Sequence, residues 1–290
     1  LSVLEHQLLT DPKVAMWISA AQQEDLNDVE QANLREMSRL HHQASLLPES
    51  LVEAKSLAGS RCEHAWRSQR PANDWEGFSD NLKEVVKYSR EEARLRAEAK
   101  GCSPYDALLD IFEPGMTSTQ LDVLFADVKS WLPDLLNKVV AKQSQQSLIA
   151  PVGPFPTAVQ RELGLETMAQ LGFDFTAGRL DISAHPFCGG VPEDVRITTR
   201  YDENELLSAL FGVIHETGHA RYEQNLPRSW SGQPIALARS TAIHESQSLF
   251  FEMQLGRSKA FLMRLIPAVT RHFGDQAAFE ESNFIAWNQQ

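Results

Sequence analysis

The chain has 290 residues, 42% hydrophobic and 23% charged, with 39 acidic side chains against 27 basic and a net charge of −12. That length suffices for one large domain or two small ones. The acidic balance and the lack of a basic stripe argue against nucleic acid as a main partner, and no apolar run approaches the roughly 18 residues of a membrane span.

The opening, LSVLEHQLLTDPKV, has no basic region, long apolar run or small-residue cleavage site, so it does not read as a secretory signal. It also has no starting Met, and the expectation is that Leu1 is not the natural start. Cys62, Cys102 and Cys188 are odd in number and far apart, which does not suit a disulfide framework. A cytoplasmic protein is expected.

The first half reads as helices. Residues 34–70, LREMSRLHHQ to SQR, carry apolar side chains at helical spacing up to a break at Pro71, Asn73 and Asp74. A long helix follows from Phe78 to about Lys100, with Ser79 as N-cap and Gly101 as stop. YDALLDIFEPGM is a short helix ended by Pro114 and Gly115. Residues 117–143 form another, with Pro133 as kink or boundary. IAPVGPFP, residues 149–156, is a linker, and helix resumes in AVQRELGLETMAQLG. Near Phe173 the pattern changes. Residues 173–187 and 193–201 carry short alternating and β-branched runs around CGGVP, a turn-rich connection. Val195, Ile197 and Thr199 share one strand face, with Arg196, Thr198 and Arg200 on the other. A small sheet over 173–201 within one mainly α domain spanning 1–290 is the expected architecture.

SALFGVIHETGHARYEQNLP, residues 208–227, places His215 and His219 four apart with Glu216 between. On a helix the two imidazoles share a face and can hold one metal ion, while Glu216 reaches a water beside it. Gly218 leaves room for a crossing helix. The motif alone leaves open a helix with satisfied histidines. A structural metal site is the poorer reading, because no cysteine cluster stands nearby. There is no HxxGxxH continuation, so a third ligand must come from elsewhere. Glu245 is the best candidate, 26 residues after His219, on a second helix capped by Ser240 or Thr241 and returning after a loop at Pro227–Pro234. His244 is its rival, about 100° around the helix from Glu245, and is expected as a substrate-facing or supporting donor. Glu252, seven residues past Glu245, can orient a ligand histidine or be an ordinary surface glutamate.

Tyr222 lies one turn past His219, as a donor to the reacting oxygen or a packed aromatic. Arg196 and Arg200 are available to read a substrate carboxylate, or to pair with Asp194 and Asp202. Cys188 reads as a plain thiol, and Cys62 with His64, and the adjacent pair His41 and His42, as chance spacings.

HETGHARYEQ and HESQSLFFE resemble the two metal-ligand segments of the M32 metallocarboxypeptidases, the carboxypeptidase Taq group. His185-Pro186-Phe187 resembles that family's HPF motif, and Asp194-Val195-Arg196-Ile197-Thr198 its DxRxT motif; YDALLDIFEPG and GRLDIS also look like family segments. The resemblance runs over nearly the whole chain. It implies a zincin-like, mainly helical metallopeptidase with a small β-sheet beside a deep groove, acting as a homodimer on peptides and removing C-terminal residues with broad preference. It implies zinc, or cobalt in some members, on His215, His219 and Glu245, with Glu216 as catalytic base. His185 and the DxRxT segment would stand close to the site. The family's later motifs, IRxxAD and GxxQDxHW, do not occur in this chain, so the expectation is a piece shortened at both ends. Two alternatives stay open: another helical zinc endo- or dipeptidase, and a weakly catalytic metal-binding scaffold.

Overall fold

Proline and capping side chains decide where the first helices begin. In the computed structural model, which describes residues 1–289, α1 (Ser2–Leu9) is followed by α2 (Pro12–Ala21), whose first turn is capped by Asp11. α3 (Asp28–Ser45) opens on a capping box between Asn27 and Glu30. The stretch 34–70 is not one helix but two, α3 and α4 (Glu49–Gln69). Pro48 separates them: it lacks an N–H for a continuing helix and disfavours helical geometry at the residue before it. α5 (Trp75–Lys100) starts earlier than Ser79, because Asp74 accepts the Gly77 N–H at 2.9 Å. It ends at Gly101, whose φ of 68° is the left-handed geometry glycine takes at little cost. α6 (Pro104–Phe112) is capped by Ser103, and α7 (Ser118–Gln143) runs through Pro133 without ending.

α1 to α6 and the first turns of α7 belong to a first compact unit, Leu1–Leu124 with Gly232–Arg239, and the rest of α7 to the second. Its α4–α5 hairpin closes on small buried side chains, Ala58, Cys62, Ala93 and Ala97. Glu92 is buried among them and held by Lys55 and Arg96. The returning segment 232–239 is fastened to α3. Asn33 donates to the Gln233 side chain at 2.9 Å, and Glu36 accepts from Arg239 at 2.8 Å and from Arg39 at 2.7 Å.

The second unit comprises Phe125–Ser231 and the residues from Ser240 onward. α8 (Thr157–Gln170) follows the linker. Three strands then form one sheet in the order β1 (Gly178–Ile182), β3 (Asp194–Thr199), β2 (Cys188–Val191), with β1 parallel and β2 antiparallel to β3. The CGGVP connection is therefore mostly a strand, not a turn. Its glycines lack side chains that could alternate, and pairing with β3 sets its register. Val195, Ile197 and Thr199 point inward as the alternation required, and Thr198 is buried as well.

α9 (Leu206–Gln224) lies between these layers. Leu206, Leu210, Phe211 and Ile214 join Leu262, Leu265 and Phe284 of the larger core, while Val213 and Ala220 join Met168, Leu180, Val195 and Ile197 of the smaller one. Each such large side chain contributes roughly 1.5–3 kcal/mol on burial. α10 (Thr241–Leu249) packs on α9 and continues as a π-helical segment, Phe250–Gly256. α11 (Lys259–Phe273) and α12 (Glu281–Asn288) complete the unit.

Candidate metal centre

A helix buried on most of its circumference has few places for polar side chains, and α9 uses one strip for His215, His219 and Glu223, spaced by four, with Glu216 beside it. Ser240 caps α10 as expected, its hydroxyl accepting the Ile243 N–H at 3.0 Å. The two helices approach so closely that a Cβ on Gly218 would stand 2.7 Å from the Gln247 carbonyl oxygen and from Ser248 Cα. Glycine at that position is what lets α10 bring Glu245 to the histidines.

One ligand atom each from His215, His219 and Glu245 fall within 4.8 Å of one another. His219 Nε2 lies 3.2 Å from Glu245 Oε2, and His215 Nε2 lies 3.8 Å from Glu245 Oε1. Ligand atoms 2.0–2.2 Å from a tetrahedral centre stand roughly 3.3–3.6 Å apart, so the donor set suits a zinc-type ion and the two separations fall just either side of that range. Burial, reinforced by the imidazoles of His244 and His215, pushes His219 down to about 4, which keeps it in the neutral form a metal requires.

The outer contacts are definite. His215 Nδ1 meets Glu252 Oε2 at 2.9 Å, and the Glu252 side chain is only partly exposed. His244 is not among the three clustered ligand atoms but meets His219, Nδ1 to Nδ1, at 2.6 Å. The Tyr222 ring packs edge-on against His244 with centroids 4.9 Å apart. Glu223 was not anticipated, yet its Oε1 lies 2.6 Å from His244 Nε2. The available signal was its spacing, four residues past His219 on the same face.

Glu216 is buried, and its Oε2 has no hydrogen-bond partner among the described residues. Burial raises its carboxyl above the usual glutamate range. The His215 charge opposes this and Glu245 adds to it, with smaller opposing contributions from His185 and His244. His185 itself is exposed and turns Nδ1 to its own Pro186 carbonyl at 2.8 Å. Arg196 is committed to Asp194, with Nη2 to Oδ2 at 2.7 Å, and the charge of Arg200 acts on Asp202. Among the described contacts, neither arginine bonds to the triad. Burial, then the charges of Glu216 and Glu223, push Cys188 up to about 12, so it stays a protonated thiol.

Two imidazoles and a carboxylate beside a buried glutamate, whose Oε2 has no hydrogen-bond partner among the described residues, make a donor set of the metallopeptidase kind. A family model described as Carboxypeptidase Taq (M32) metallopeptidase matches residues 1–289. The chain is 38% identical over 286 residues to thermostable carboxypeptidase 1 of Thermus thermophilus, covering 94% of this chain and 56% of that protein. It is 40% identical over 216 residues to carboxypeptidase 1 of Bacillus subtilis, covering 74% of this chain and 43% of that one. Among solved structures, metallocarboxypeptidase 1 of Trypanosoma cruzi superposes with a TM-score of 0.89 at 48% identity, over 98% of this chain and 58% of that one.

The chain belongs to the M32 family of metallopeptidases. It spans about half the length of the curated relatives it matches.

Proposed function

We propose that this chain carries the metal site and catalytic base of a zinc-dependent carboxypeptidase that removes C-terminal residues from peptides with broad side-chain preference. The observation that carries the reading is the convergence of His215, His219 and Glu245 beside Glu216 Oε2, an acceptor left unpartnered in a buried position. Those three side chains hold the ion, zinc by donor type, with cobalt as an alternative. When bound, such an ion supplies Lewis acidity and makes a water molecule more acidic.

The protein's own part is proton transfer. Glu216 Oε2 accepts the proton from the attacking water and returns it to the leaving amine. Its raised pKa suits both halves of that task, since a base that binds protons more tightly is a better acceptor and remains able to donate. Glu252 holds the His215 ring in place throughout. His185 is exposed yet near enough for its charge to act on Glu216, which supports a role for it in meeting substrate. The reading also includes the family expectations of a homodimer and a cytoplasmic setting. Sedimentation of the native protein tests the first.

Peptides with free, amidated and N-blocked ends test the activity. A carboxypeptidase cuts the free and N-blocked peptides and leaves the amidated one intact. Cleavage of amidated peptides would make it an endopeptidase, and stoichiometric zinc by elemental analysis without turnover would make it a scaffold.

A further inference from the structure

His219 and His244 meet through the same ring atom, Nδ1 to Nδ1, at 2.6 Å. Two lone pairs cannot make that contact, so one nitrogen carries a hydrogen and the other accepts it. The far side of His244 decides which. Its Nε2 stands 2.6 Å from Glu223 Oε1, and an ionised carboxylate only accepts. His244 Nε2 therefore donates to Glu223. In its neutral form His244 has one N–H, and with that hydrogen on Nε2 its Nδ1 accepts from His219 Nδ1. The lone pair of His219 is left on Nε2, the atom 3.2 Å from Glu245 Oε2.

We propose that Glu223, acting through His244, is a positioning residue that fixes His219 in the tautomer able to bind the metal. The proposal rests on the reading of His219 as a ligand. The neighbouring ligand needs no relay, because Glu252 reaches His215 Nδ1 directly at 2.9 Å. At His219 the same outer carboxylate acts one imidazole further away. Glu223 shares the α9 face of His219, α10 inserts His244 between them, and the Tyr222 ring holds His244 edge-on. A hydrogen-bond chain with one acceptor-only end has a fixed direction, and that direction ends at the metal-facing nitrogen.

Three variants of the 290-residue chain read this direction: Glu223→Gln, Glu223→Ala and Glu223→Lys. A glutamine oxygen still accepts from His244 Nε2, so the chain keeps its sense. A lysine ammonium only donates. It turns His244 around and places the His219 hydrogen on Nε2, where it blocks the metal. Zinc affinity, measured by competition with a chromophoric chelator, is expected within about threefold of wild type for Glu223→Gln and weaker by about 10–100-fold for Glu223→Lys, with Glu223→Ala between. In zinc-loaded wild type, imidazole 15N shifts should show His219 bound through Nε2 with its hydrogen on Nδ1. Wild-type zinc affinity in folded Glu223→Lys, or coordination through His219 Nδ1, overturns the relay. Should Glu223→Lys fail to fold, the wild-type nitrogen shifts decide alone. A wild-type chain that takes up no zinc defeats the metal-site reading instead. The metal-free spectrum then still tests the relay, and a hydrogen on His219 Nε2 overturns it.

Discussion

Glu92 on α5 and Glu216 on α9 are both mid-helix glutamates, 4% and 6% exposed, and their surroundings treat them in opposite ways. Burial pushes the Glu92 carboxyl up, but hydrogen bonds and charge from Lys55 and Arg96 overcome it and hold the group below the usual glutamate range. Among the described residues no cation is bonded to Glu216 Oε2, and burial wins. The difference teaches that a buried acid is defined by its partners. One that is fully paired ties two helices together. One with a free acceptor oxygen is available to a molecule from outside.

Substitution at each glutamate breaks the comparison in a different observable. Glu216→Gln should lower peptide hydrolysis by about 10²–10⁴-fold, the usual contribution of a general base, while zinc content and unfolding temperature stay near wild type. Full turnover in that variant would remove Glu216 from the mechanism. Glu92→Gln should leave zinc binding intact and destabilise the fold. Loss of one member of a buried pair costs about 3–5 kcal/mol. Lys55 is partly exposed, so about 2–3 kcal/mol is expected in urea unfolding.

Gly218→Ala probes the frame around Glu216 rather than the acid itself. Its Cβ would meet backbone atoms of α10 at 2.7 Å, which forces the helices apart at about 1–3 kcal/mol. It should also weaken zinc binding, because Glu245 moves with α10. Unchanged affinity in the chelator competition would show that the centre tolerates looser helix packing.

The smallest effect is one of pH, and the two acids give it opposite signs. Glu92 ionises more readily in the folded protein. Its stabilisation is present above the usual glutamate range and is lost as the pH falls through its lowered folded value. Glu216 ionises less readily when folded. Its contribution favours the fold at low pH and is lost as the pH rises through its raised value. Unfolding free energies of the metal-free protein should therefore lose part of the acid decline in Glu92→Gln. In Glu216→Gln they should lose part of the decline on the less acidic side. Parallel pH curves for wild type and both variants would contradict the two environments.

What could be read from the sequence was local geometry. The spacing of His215 and His219 fixes a shared helix face wherever that helix lies, and the Ser240 cap and Gly101 stop are also local. Glu245 and Glu252 were accessible because they lie on the next helical segment after α9, so few partners competed. The strand at Cys188–Val191 was missed because Gly189 and Gly190 read as a turn, and pairing with β3 is a long-range decision. Asp74 took the cap expected of Ser79 because either side chain can serve, and the fold at the hairpin chose. The spacing of Glu223 puts it on the His219 face, but its bond to His244 and the contact of His244 with His219 depend on two helices meeting side chain to side chain, which no single-helix pattern encodes.

The π-helical stretch that follows Leu249 gives the segment carrying Glu245 an asymmetry in how it bears changes of length. A π turn holds one residue more than an α turn requires. Loss of Met253, Gln254 or Leu255 would relax it to ordinary pitch and leave everything upstream in phase. The same loss between Ser240 and Glu245 would swing the carboxylate by about 100° around its helix, off the two imidazoles. Insertions and deletions can thus drift through the exit of this helix while its entrance stays fixed in length.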